Sequence, residues 1–241
     1  ESAILPCIPL QTTMENERLC PSRRDATLAE RGERAARPHL MRTCVSISFS
    51  PIGVFDSGLG GLSVLRALRA RLPHESFVYL GDSAFCPYGE KTDEVIRERV
   101  HLLVDALFAR DCKAAVIACN TACAVAINSL RDRHAAPIIG LEPAVKPAAR
   151  RSKSKRVAVL ATPRTARGER LHQLIETHGS GVTVESIPAP GLVDLVESGQ
   201  MDGREMRYLL SNLLEGPLAR GCDVVVLGCT HYPFLAGTIA E

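Results

Sequence analysis

No stretch of the chain approaches the about 18 consecutive apolar residues that read as a membrane-spanning helix, and no CxxC pair occurs. An excess of one charge is lacking too. The 29 Lys and Arg stand against 27 Asp and Glu, for a net charge of +2. That balance offers no general attraction to a polyanion. The basic run Arg150-Arg151-Ser152-Lys153-Ser154-Lys155-Arg156 has no aromatic residue interleaved with it, so it reads as a solvated turn before a strand rather than a nucleic-acid contact. There is no Gly-x-Ser-x-Gly elbow and no Ser-His-Asp arrangement, which argues against serine hydrolase chemistry. The turn Asp56-Ser57-Gly58-Leu59-Gly60-Gly61 is glycine-rich, yet it has neither the G-x-G-x-x-G spacing nor the lysine of a phosphate loop. Its helix-start amides suit a small anion such as a carboxylate, and Asp56 suits an ammonium group.

What is present is enough to fold. A chain of 241 residues at 46% apolar content supports one large domain or two small ones. Nine cysteines, at positions 7, 20, 44, 86, 112, 119, 123, 222 and 229, are more than a core-rich chain needs as staples. They read as reduced thiols in a cytoplasmic protein. Cys119 and Cys123 share a helix face if a helix starts there, but no second pair has ligand spacing, so no metal is assigned.

Residues 1–50 differ in texture from the rest. Arg and Glu alternate without an apolar period, Pro and Thr are scattered, and the acidic residues Glu15, Glu17, Asp25, Glu30 and Glu33 argue against a targeting peptide. The expectation is a disordered or non-native leader, with Met41 as the natural start. From Pro51 onward, short apolar runs alternate with helical patterns. Strands are expected at 52–55, 77–80, 114–118, 137–140, 157–160 and 182–185, with helices between them. That order implies βαβ units and parallel sheets. Ligands of such sheets bind beyond the carboxyl ends of the strands, where Asp56-Ser57, Asp82-Ser83, Cys119-Asn120-Thr121, Thr162 and Cys229-Thr230-His231 stand.

One repeat organises the chain. Residues 109–119 line up with residues 219–229 at a constant offset of 110 (229 − 119). Each copy runs from Ala-Arg through an apolar strand to a terminal Cys. A single buried Cys is most often a core residue. Two at equivalent strand ends, each followed by hydroxyl, amide or imidazole groups and each ahead of an expected helix start, point to chemistry, because helix amides favour the reactive thiolate. A thiol has a free pKa of about 8.5 and can both accept and donate a proton near neutral pH. Facing thiols suit proton transfer at a stereocentre: one removes the proton and the other delivers one to the opposite face.

Four motifs in this order and spacing, Asp56-Ser57-Gly58-Leu59-Gly60-Gly61, Gly81-Asp82 to Pro87-Tyr88-Gly89, Cys119-Asn120-Thr121-Ala122 and Gly228-Cys229-Thr230-His231-Tyr232-Pro233, resemble the glutamate racemases of the aspartate/glutamate racemase superfamily. The resemblance covers Pro51 to the end. It implies an α/β fold of two pseudo-symmetric domains with mainly parallel sheets and the active site in the cleft between them. It also implies cofactor-independent interconversion of L- and D-glutamate, supplying peptidoglycan synthesis. The alternatives are a racemase for aspartate or another small amino acid, or an inactive fragment acting as a binding module. By position, Cys119 and Cys229 are the acid/base pair, with Asp56, His231 and Glu197 beside them. Glu197 also reads as an exposed helix carboxylate. Asp56, Ser57, Tyr88, Gly89, Asn120, Thr121, Thr230 and His231 bind substrate. The implied partner is glutamate, without nucleic acid or membrane, and a homodimer is compatible with the sequence. Residues 51–140 form the expected first domain, completed by 226–241 and by residues beyond a truncated end, with 141–225 as the second. Cys86 and Cys123 depart from the family pattern.

Overall fold

The computed structural model describes residues 3–5 and 49–241. Among the described residues, eight strands form two four-stranded sheets in which every pairing is parallel. In chain order the strands are β1 (Ala3–Leu5), β2 (Ile52–Asp56), β3 (Phe77–Gly81), β4 (Ala114–Ile117), β5 (Ile138–Gly140), β6 (Arg156–Ala161), β7 (Thr183–Pro188) and β8 (Val224–Leu227). The first sheet runs β3-β2-β4-β5 and the second β1-β8-β6-β7. Nine α-helices are described: α1 (Leu62–Arg71), α2 (Asp93–Phe108), α3 (Asn120–Arg133), α4 (Val145–Arg151), α5 (Pro163–Arg167), α6 (Glu169–His178), α7 (Leu192–Glu197), α8 (Arg204–Ala219) and α9 (Ala236–Ala240).

The central strands β2, β4, β6 and β8 are apolar along most of their length because both faces of the sheet are covered there, whereas the edge strand β7 carries Thr183, Glu185 and Ser186. Successive residues point to opposite faces. Phe55, Ala115 and Ile117 therefore join the cluster under α2 and α3 with Ile96, Val104 and Leu130. Their neighbours Val54, Val116 and Ala118 pack with Val64 and Leu68 of α1. The second sheet divides the same way. Ala158, Leu160, Val225 and Leu227 face α7 and α8, while Val157, Val159, Val224 and Val226 face α4 and α6.

The 110-residue echo is a structural repeat. β4 and β8 occupy equivalent spans, and the preceding helices α2 and α8 are each 16 residues long. Even the turn between helix and strand recurs. Asp111 and Gly221 both adopt positive φ, at 58° and 89°. The next residue's amide reaches back across the turn, Cys112 N to Leu107 O at 3.4 Å and Cys222 N to Pro217 O at 3.0 Å. This is the left-handed helix stop that glycine accepts freely and Asp tolerates.

Three expectations are corrected. Residues 226–241 do not complete the first sheet: β8 pairs with β6, and Tyr232 and Leu235 pack into the second sheet's core. Part of the basic run is helical, since Arg150 and Arg151 close α4, where cations complement the carboxyl end of the helix. Within residues 1–50, read as a leader, Ala3–Leu5 pair in parallel with β8. Phe49 and Ser50 are also described, and the rest of that segment, Met41 included, lies outside the described residues.

Candidate active site

Cys119 follows β4 and is the N-cap of α3. Its Sγ accepts the Ala122 amide at 3.5 Å and lies 3.4 Å from Ser57 Oγ. The side chain is buried, and burial first, then the negative charge of Asp56, pushes its pKa up to about 11. Ser57 and the amides of Thr121 and Ala122 pull the other way without winning. At neutral pH the resting residue is therefore a thiol. Alkylation of Cys119 by iodoacetamide, followed by peptide mass spectrometry, should accelerate about tenfold per pH unit and level off only near pH 11. A plateau below about pH 9 would contradict this account.

Cys229 sits at the equivalent end of β8, but its surroundings differ. The expected helix start is replaced by a turn and a 3-10 helix at Tyr232–Leu235. In place of helix amides, Cys229 has an imidazole: His231 Nδ1 lies 3.5 Å from its Sγ. The other ring nitrogen, Nε2, is 2.5 Å from Glu197 Oε1. His231 is buried, whereas the Glu197 side chain is 21% exposed. The reading of Glu197 as a merely exposed carboxylate is thus corrected. It closes a Cys229–His231–Glu197 chain.

The glycine-rich turn also differs from expectation. Its amides are taken by the protein's own carboxylates: Gly58 N–H donates to Asp56 Oδ2 at 3.1 Å and Leu59 N–H to Glu197 Oε1 at 2.8 Å. The glycines are needed for close approach. A Cβ on Gly58 would lie 1.9 Å from Glu197 Oε1, and one on Gly60 would lie 2.6 Å from both His231 Nδ1 and Thr230 Oγ1. Asp56 is fully buried and its pKa is raised, chiefly by burial, against the opposing pull of His231. Its Oδ1 accepts the Thr230 hydroxyl at 3.1 Å, which ties the two halves together.

Ser57, Tyr88, Gly89, Cys119, Asn120, Thr121, Cys229 and His231 line one cavity between the halves, together with Pro87, Thr162 and Val193. Asp56, Thr230 and Glu197 stand behind this wall. The cavity has only about 10 Å³ of free room, close to the least that holds one water. Sequence reasoning placed Thr162 at a strand end without assigning it to the site. Its hydroxyl lies 3.0 Å from those of Thr121 and Thr165, and Thr121 and Thr165 are 3.1 Å apart, so the three close a ring across the seam. Val193 carried no chemical signal. Its position four residues before Glu197, on one face of α7, is what would have found it. Tyr88 is held from behind: its hydroxyl donates to Asp82 Oδ2 at 2.6 Å, and Arg99 grips the same carboxylate through Nε at 3.0 Å and Nη2 at 2.6 Å.

Comparison with known proteins gives a consistent picture. The sequence profile described as Asp/Glu/Hydantoin racemase matches residues 62–241. A glutamate racemase of Pseudomonas paraeruginosa is 51% identical over 193 residues, covering 80% of this chain and 73% of that protein. The crystal structure of Escherichia coli glutamate racemase in complex with L-glutamate and the activator UDP-MurNAc-ala superimposes with a TM-score of 0.71 at 36% identity, over 79% of this chain and 73% of that one. A Francisella tularensis glutamate racemase in complex with D-glutamate gives 0.70 at 32% identity, over 80% and 73%.

Proposed function

Because this chain belongs to the Asp/Glu/hydantoin racemase family, we propose that it interconverts L- and D-glutamate and supplies D-glutamate for peptidoglycan. One observation carries the mechanism: Cys119 and Cys229 line the same cavity from opposite halves of the fold. One thiolate takes the α-proton from one face of the substrate and the facing thiol returns a proton to the other. In the reverse direction the roles exchange. The relatives' names favour glutamate over the aspartate alternative.

The roles follow from position. Cys119 is the protonated partner of the resting site. Cys229 exchanges its proton through His231, whose second nitrogen Glu197 orients. Asp56 provides negative charge for the substrate ammonium, and that ammonium in turn offsets the charge that raises Cys119. Ser57, Tyr88, Gly89, Asn120 and Thr121 contact the substrate directly, with Thr230 and His231 completing the seat. The first domain comprises residues 51–140, and the second begins at 141 and, by its strand pairing, takes in β8. The reaction uses no cofactor. We place the enzyme in the cytoplasm, where its many thiols stay reduced, with glutamate as its partner. A homodimer is compatible with this reading.

The test is solvent exchange. Purified protein with reduced thiols, in deuterium oxide and without pyridoxal phosphate, should place deuterium at the α-carbon of both L- and D-glutamate, read by NMR. Absence of exchange with glutamate would sink the proposal. Gly60→Ala should lower kcat by about a hundredfold, because the added methyl displaces His231 and misplaced groups near the chemistry cost on that order. Unchanged steady-state kinetics would contradict the close approach described above.

A further inference from the structure

We propose that Cys86, Glu197 and His231 form a binding site for a thiophilic divalent metal ion, Zn2+ foremost, whose occupancy switches off proton transfer at Cys229. The inhibitory half of this proposal rests on the racemase reading; the metal site itself does not.

The ligand atoms are already assembled. The Cys86 sulfur, a Glu197 carboxylate oxygen and a His231 ring nitrogen all lie within 4.8 Å of one another. Thiolate, carboxylate and imidazole together are a zinc donor set. Metal–sulfur bonds of about 2.3 Å and metal–nitrogen or metal–oxygen bonds of about 2.0–2.1 Å put tetrahedral ligands roughly 3.3–3.6 Å apart. The Cys86 Sγ to Glu197 Oε1 distance of 3.7 Å is close to that spacing. The Glu197 to His231 contact, at 2.5 Å, needs to open by less than about 1 Å. Cys86 and the Glu197 side chain are only partly buried. That leaves a path for the ion and a fourth position for water. Coordination replaces the thiol proton of Cys86, which leaves to solvent.

The consequence for Cys229 follows from the two nitrogens of one ring. Nδ1 of His231 faces the Cys229 sulfur and Nε2 faces Glu197. A metal ion on Nε2 uses that nitrogen's lone pair, so the single ring proton sits on Nδ1. The imidazole can then donate toward Cys229 but cannot accept its proton. The Cys229–His231–Glu197 chain needs no thiol at position 86; the metal site does. Neither Cys86 nor Glu197 lines the substrate cavity, and His231, which does, would hold the ion through Nε2, the nitrogen turned to Glu197 rather than to Cys229, so the ion and glutamate do not compete for the same space. Zn2+ bound directly to Cys119 and Cys229 would compete with glutamate.

Two measurements on the full chain decide this. Co2+ titrated into the protein should give a sulfur-to-cobalt charge-transfer absorption that Cys86→Ser and Cys86→Ala both abolish. With glutamate as substrate, Zn2+ should lower kcat at unchanged KM, and EDTA should restore it. Each variant should keep the metal-free kcat and need at least about tenfold more Zn2+ for the same inhibition. Inhibition of both variants at the wild-type Zn2+ concentration, inhibition that raises KM instead, or a cobalt band unaffected by loss of Cys86 would overturn the proposal. A Cys86-dependent band in a protein that never turns over glutamate would leave the metal site standing and remove the racemase reading.

Discussion

Replacing Cys229 by Ser should slow interconversion of L- and D-glutamate by at least about a thousandfold, and Cys119→Ser should do the same, which is within the range that a positioned acid or base contributes. A serine hydroxyl can still donate a hydrogen bond in the same space, but it neither ionises near neutral pH nor removes an α-proton. The two variants should differ in what they retain. The remaining thiol can still take the α-proton of the one enantiomer that presents it to that face, and can return a solvent-derived deuteron to the same face. Each variant should therefore exchange one enantiomer without inverting it, and the favoured enantiomer should be opposite in the two. Polarimetry and NMR on the same samples separate the readouts. Full racemisation by either single variant would refute a two-thiol mechanism.

Asp82→Ala should lower the melting temperature by about 6–12 °C and raise KM for glutamate. Asp82 is 4% exposed and holds two neighbours at once, the Arg99 guanidinium and the Tyr88 hydroxyl. Removing one member of a buried pair leaves the other uncompensated, at about 3–5 kcal/mol. Arg99 is 24% exposed and also stacks on the Phe85 ring at 3.9 Å, so the lower figure of about 3 kcal/mol applies. For a protein of this size each kcal/mol moves the midpoint by about 2–4 °C. Tyr88 lines the cavity, so loosening its anchor also weakens substrate binding. A midpoint within about 2 °C of wild type would show that solvent, not Asp82, satisfies Arg99.

The strands and the repeat were legible because buried parallel strands are written as continuous apolar runs. The run 114–118 and its echo at 224–228 needed no knowledge of partners. Partners were the harder matter. A strand apolar on both faces carries no mark of its neighbour, which is why β8 was expected in the first sheet and lies in the second. The residues of the cavity wall were mostly readable, since strand ends carry the polar groups. The destination of the Leu59 amide was not: its acceptor, Glu197, is 138 positions away, and nothing local announces it. Val193 was missed for a related reason. It contributes shape rather than a reactive group, and shape exists only after α7 is docked. The helices α4 and α6 were expected only as connections between strands, without bounds, because charged residues, the basic run in α4 among them, mask their short apolar stripes.

The narrowness of the cavity reaches past geometry into the meaning of any measured affinity. Room for about one water is less than an amino acid needs, so substrate binding requires this site to widen. Entry must wait for the seam to part, with Thr121 released from Thr162 and Asp56 from Thr230. The apparent dissociation constant then equals the intrinsic one divided by the fraction of molecules found parted. An equilibrium assay on ligands held at the parted seam therefore reads the opening equilibrium together with their own contacts. A substitution that weakens the seam without touching the cavity wall, such as Thr165→Ala, which removes the contact to Thr121, would tighten such ligands while leaving their contacts unchanged.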